Sequence, residues 1–143
     1  MSIPSCDSDC KSTEKHPIGQ RQVDKTGERV RDMFAQIAPR YDLMNHLLSL
    51  GIDIRWRRRV LRELRLDGSL PILDCCTGTG DLALLLAEKM QGRVKVIGSD
   101  FCAPMLELAR QKHQQQHPEL PLEFIEADTQ HLPFADGSFQ AVT

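Results

Sequence analysis

The stretch LDCCTGTGDLA at residues 73–83 decides the fold. It leaves the short apolar run Pro71–Cys76, turns through Thr77, Gly78, Thr79 and Gly80, and opens a helical pattern at Leu82. An apolar run of that length ending in a glycine-rich turn is expected of a strand buried in a parallel sheet. Outward from the turn the alternation repeats. Leu82–Met90 reads as a helix, Val94–Gly98 as a strand, Pro104–His113 as a helix with proline in its first turn, and Leu122–Glu126 as a strand. Phe139–Val142 begins a further strand after the turn at 135–138. This βαβαβ order predicts a doubly wound α/β sheet with ligands at the C-terminal ends of the strands. The glutamines at 114–116, between His113 and His117, are expected to fray into a solvated loop.

Upstream, Val30, Met33, Phe34, Ile37 and Ala38 recur at helical spacing. Pro39 is expected to close that helix, because the residue before a proline is pushed out of the helical region. Tyr41–Leu50 then restarts a helix, with Leu43, Met44, Leu47 and Leu48 on one side and Gly51 as its C-terminal cap. A third helix, about Arg55–Leu66, turns Trp56, Val60, Leu61 and Leu64 inward. Three helices therefore precede the sheet. Residues 1–27 are polar and lack apolar periodicity, so they read as a flexible tail, and 28–143 as the domain.

Composition bounds the function classes. With 143 residues, 41% hydrophobic and 27% charged, the chain suits one domain of ordinary size. Its net charge of −2 supplies no overall basic field for nucleic acid. No apolar stretch is long enough for a membrane-spanning helix. The first twenty residues have neither the basic nor the apolar region of a secretory signal, so a cytoplasmic location is expected. Five cysteines, two of them adjacent at Cys75 and Cys76, fit a reducing compartment. Cys6 and Cys10 have no second pair at zinc spacing, so no metal site is expected.

The glycine turn is where backbone N–H groups can face a nucleotide-like ligand. Gly78, Gly80 and Ala83 satisfy a dinucleotide-type GxGxxA pattern, which alone admits NAD. Asp74 before the turn and Asp81 after it would repel a pyrophosphate and suit a cation. S-adenosylmethionine (AdoMet), with a sulfonium, an α-amino group and no phosphate, fits better. Asp100 follows Gly78 by 22 residues at the second strand's end, where a carboxylate can accept both ribose hydroxyls. Asp128 at the third strand's end can take the adenine amino group, with the Thr129 backbone beside it. Each also has a local reading: Asp81 complements a helix dipole and Asp128 caps a turn.

The segments MFAQIAPRYDLMN at 33–45, LSLGIDIRWR at 48–57, DCCTGTGD at 74–81, GSD at 98–100 and LPFADGSF at 132–139 resemble the UbiE/MenG/Coq5 family of quinone-biosynthesis C-methyltransferases. The glycine turn and LPF motif are common to class I AdoMet methyltransferases, whereas the Tyr41–Trp56 block is particular to this family. The resemblance implies a Rossmann-like class I fold after N-terminal helices, cut at about its fourth strand, so that the chain is expected to be an inactive fragment. It also implies methyl transfer from AdoMet to a ring carbon of a polyprenylated quinol precursor, demethylmenaquinol or its ubiquinone-pathway counterpart. Carried over by motif, Asp74, Gly78 and Thr79 serve the methionine side, Asp100 the ribose, and Asp128 with Thr129 the adenine, while Tyr41, Asp42 and Asn45 become candidates for orienting substrate or handling its proton. A membrane-resident substrate implies peripheral contact with the inner membrane surface, for which Arg55, Arg57, Arg58, Arg59 and Arg62 beside Trp56 are candidates. Self-association stays open. So do a non-catalytic AdoMet- or partner-binding module, another small-molecule methyltransferase and an NAD-dependent dehydrogenase.

Overall fold

In a computed structural model, residues 25–143 are described. The expectations for the tail at 1–24, and for Cys6 and Cys10 within it, lie outside the described residues. Two helices lead the described residues: α1, Lys25–Ser49, and α2, Ile52–Glu63. There follow β1 (Ile72–Cys75), α3 (Asp81–Met90), β2 (Val96–Asp100), α4 (Ala103–Gln116), β3 (Leu122–Glu126), a 3-10 turn at Thr129–His131, and β4 (Ala141–Val142). All strand pairs are parallel and the sheet order is β3-β2-β1-β4. The order reverses at β1, so the crevice expected of a doubly wound sheet opens at the carboxyl ends of β1 and β4.

The core lies between the sheet and α3 and α4. On α3, Ala83, Leu84, Leu86, Ala87 and Met90 are buried, a set recurring every three to four residues. They meet Ile72 and Val96 of the strands and Leu106 and Ala109 of α4 in one cluster. Each fully buried Leu or Ile there contributes about 1.5–3 kcal/mol. A second cluster joins Ala38 of α1 to Cys102 and Met105, fixing α1 across α4.

Four expectations are corrected. Pro39 lies inside a continuous α1 instead of ending it, so among the described residues two helices and not three precede the sheet. A helix-interior proline removes one backbone hydrogen bond and costs about 3 kcal/mol. Anchors on either side offset that cost, Ala38 in the second cluster and Asp42 on Lys112. Trp56 points outward, 72% exposed, while Val60, Leu61 and Leu64 are half-buried as expected. The glutamines at 114–116 remain helical, and His117 after them pairs with Glu88 of α3 at 3.0 Å. Finally, β2 begins two residues later than the apolar pattern suggested and includes Asp100.

Candidate functional site

The glycine turn gets its shape from two residues. Gly80 has φ +81°, and a Cβ there would lie 2.8 Å from Ala109 and 2.9 Å from Phe124. Only glycine fits. Gly78 has φ +58°, with open space and the edge of Tyr41 beyond it. Its N–H donates to Asp100 Oδ2 at 2.9 Å, and the Cys102 N–H donates to Oδ1 at 2.9 Å. Both carboxylate oxygens are thus fixed by backbone amides, leaving about half of their acceptor capacity for a ligand. Asp100 is only 6% exposed.

At the end of β1, Asp74 accepts from the Thr77 hydroxyl at 2.6 Å and the Thr143 hydroxyl at 2.9 Å. Burial nevertheless raises its pKa above the ordinary carboxylate value, against the lowering effect of those hydrogen bonds. Burial likewise raises the pKa of the Cys75 thiol, so it stays protonated at neutral pH and is a poor nucleophile. Asp74, Gly78 and Thr79 line a cavity of about 300 Å³ together with Tyr41, Asn45 and Thr143. A second cavity, about 800 Å³, opens beyond β2 and β3 and is lined by Phe101, Ala127, Asp128 and residues of α1. The two lie at successive strand ends, with Asp100 at the strand end between them.

A polar network ties the helices to this turn. Lys112 of α4 contacts Asp42 Oδ2 at 2.5 Å, Asp81 Oδ1 at 2.6 Å and Thr79 Oγ1 at 3.0 Å. The Thr79 hydroxyl donates to Asp42 Oδ1 at 2.5 Å. Arg57 of α2 reaches Asp81 Oδ2 at 3.1 Å and Asp53 at 3.0 Å, and Ser49 donates to Asp53. One chain of contacts therefore crosses α1, α2, the turn, α3 and α4.

The structure brings Tyr41, Asn45, Asp74, Gly78 and Thr79 to one cavity and buries Gly80 beneath the turn. Several expectations shift. Asp81 does not face a ligand cation freely, because Arg57 and Lys112 already hold its carboxylate. Asp42 is engaged by Lys112 and Thr79, and Thr79, 3% exposed, offers a ligand little beyond its backbone. Asp128 lies two residues past β3, where its carboxylate caps the 3-10 turn through the Gln130 N–H. Thr129 beside it is exposed, its hydroxyl 3.3 Å from Cys76 Sγ. Arg57 turns inward, away from the other arginines of α2.

Sequence reasoning missed Lys112. A usable signal existed, since Lys112 falls seven residues after Met105 and three after Ala109, on the buried stripe of α4. A lysine there needs carboxylate partners.

The ubiE/COQ5 methyltransferase family matches residues 22–143. A ubiquinone/menaquinone biosynthesis C-methyltransferase UbiE of Geobacter sp. (strain M21) is 46% identical over 121 residues, 85% of this chain and 52% of that protein. A demethylmenaquinone methyltransferase of Thermus thermophilus is 52% identical over 111 residues, 78% of this chain and 49% of that protein. A putative S-adenosyl-L-methionine-dependent methyltransferase of Methanococcus maripaludis shares the fold at TM-score 0.62 and 18% identity, over 76% of this chain and 48% of that one. The chain spans about half the length of the curated relatives it matches. The class I sheet, its glycine turn and the helices latched over it are the parts that this match covers, and the chain belongs to the ubiE/COQ5 methyltransferase family.

Proposed function

We propose that residues 28–143 form the AdoMet-binding half of a C-methyltransferase acting on a polyprenylated quinol precursor. The observation that carries this reading is the arrangement of two cavities at neighbouring strand ends with Asp100 between them, beside family membership. An elongated ligand with a cationic end and a nucleoside end suits it. Asp74 supplies negative charge toward the methionine end, and Gly78 lets the backbone approach. Asp100 has acceptor capacity left for ribose hydroxyls, and Phe101 and Asp128 border the space for adenine.

Bound there, AdoMet would supply its sulfonium methyl to the nucleophilic carbon ortho to a phenolate, the S–CH3 bond breaking to release S-adenosylhomocysteine and the ring carbon giving up its proton to restore the aromatic ring. Tyr41 and Asn45 border the methionine-side cavity and orient the ring. Asp42, held by Lys112 and Thr79, positions Tyr41 next to it in α1. The substrate's prenyl tail requires contact with a bilayer surface, and self-association of the chain is part of the same reading.

Calorimetric titration of the chain with AdoMet, in competition with NAD, tests the cofactor. AdoMet is expected to bind and NAD to leave it undisplaced; displacement by NAD would turn the reading toward a dehydrogenase. Transfer is tested by joining the chain to the C-terminal half of the Geobacter relative and following labelled methyl into a short-prenyl demethylmenaquinol. Binding without transfer there would leave only a cofactor-binding module.

A further inference from the structure

We propose that the α1–α2 hairpin is a docking surface for an anionic phospholipid bilayer, which extends the reading above by naming the surface through which a bilayer-resident substrate is met. Two independent features converge on it. The first is charge. A groove of about 790 Å³ along α2 has as its charged lining Arg55, Arg58, Arg59, Arg62 and Lys89, with no carboxylate among the described residues. Arg55, Arg58 and Arg62 have no ion-pair partner among the described residues, and Arg59 pairs only with the exposed Glu63 at 3.9 Å. Arg55, Arg59 and Arg62 follow Ile52 at three, seven and ten residues, so one face of α2 carries them.

The second feature is apolar. Leu43, Leu47, Leu48 (78%), Leu50 (87%), Ile52 and Trp56 are all exposed, and they run from the last two turns of α1 across Gly51 into α2. Isolated exposed leucines are ordinary, but a run continuous with unpaired arginines is not. A nucleic acid would meet the arginines and leave the leucines unmatched, and the chain's net charge of −2 gives it no wider basic field. An anionic bilayer offers phosphate to the guanidinium groups and hydrocarbon to Leu48, Leu50 and Trp56 within one interface. Arginine stems can cover apolar surface while their heads stay at headgroup level.

Vesicle co-sedimentation tests this, using phosphatidylcholine vesicles with and without phosphatidylglycerol at low and high salt. Wild type is expected to partition to the phosphatidylglycerol vesicles and to be released by salt. Each basic residue near such a surface is worth about fivefold, so the triple change Arg55→Gln, Arg58→Gln and Arg62→Gln lowers partitioning about a hundredfold. A charge-matched control, Arg29→Gln with Arg40→Gln and Arg93→Gln, is expected to lose much less. Trp56 is the only tryptophan, so a blue shift of its emission on vesicle binding reports its entry into the interface. Circular dichroism and AdoMet affinity, measured on every variant, separate loss of docking from loss of fold or of the cofactor reading. Equal partitioning of the two triple variants, indifference to phosphatidylglycerol, or an unshifted Trp56 emission would each overturn the proposal.

Discussion

Burial raises the carboxyl pKa of Asp74, so the folded state holds its proton more tightly than the unfolded chain. Its favourable contribution to stability is therefore complete below the unfolded value of 3.8 and is lost as pH rises through the higher folded value. Asp74→Asn removes the buried charge and keeps hydrogen-bonding atoms for Thr77 and Thr143. At neutral pH the variant is expected to be as stable as wild type or more stable by about 1 kcal/mol in urea unfolding. Its AdoMet affinity is expected to fall about tenfold or more in calorimetry, because the ammonium and sulfonium lose their counter-charge. Wild-type affinity should weaken as pH drops through the raised Asp74 range, and Asp74→Asn should flatten that dependence. Asp100→Ala is expected to cost about 1.5–3 kcal/mol of AdoMet binding and to lower the melting temperature, since the Gly78 and Cys102 amides lose their acceptor. Unchanged affinity in a folded variant would remove Asp100 from the site. Asp74, Gly78 and Asp100 were legible because strand ends and a glycine turn fix their places along the chain. That Asp81 and Asp42 are held by cations was not, because Lys112 and Arg57 reach them from helices distant in sequence.

α1 depends on contacts made outside it. Lys112→Met leaves Asp42 and Asp81 without their shared ammonium, which is expected to destabilise the protein by about 1–2 kcal/mol, allowing for partial solvent exposure. Amides of residues 40–49 are expected to exchange faster by hydrogen-exchange mass spectrometry, whereas those of β2 hold. Lys112→Arg should restore part of that protection. Uniform acceleration across both segments would mean that Lys112 supports the whole fold instead of docking α1. Gly80→Ala forces a left-handed residue against Ala109 and Phe124 and is expected to cost about 2–5 kcal/mol in denaturant unfolding. At this scale the sequence reading succeeded where periodicity was strong. Leu122–Glu126 matches β3 to the residue, and α3 differs from its expected range only by starting at Asp81. It failed at Pro39, where tertiary anchoring by Ala38 and Asp42 overrides a local preference. It failed again at Trp56, where an aromatic residue was assigned to the core although the arginines around it share its exposed face.

Taken as a molecule, the chain has a well-packed side between the sheet and α3 and α4, and an apolar hairpin that its own packing leaves uncovered. In sedimentation velocity it is expected to self-associate as concentration rises. Raising salt should leave this association intact or strengthen it, the opposite of its effect on vesicle docking. Loss of association at high salt would instead indicate ion pairs between copies. The sheet's register bears on how the site is assembled. β1–β2 and β2–β3 pair segments roughly two dozen residues apart, but β4 reaches β1 across a far longer loop, with Thr143 and Asp74 separated by 69 positions. Loop-closure entropy disfavours early formation of that contact. During folding, therefore, β1, β2 and β3 can assemble side by side while Asp74 still faces water on the β4 side, and the carboxylate loses that hydration when β4 arrives and the Thr143 hydroxyl takes the place of solvent.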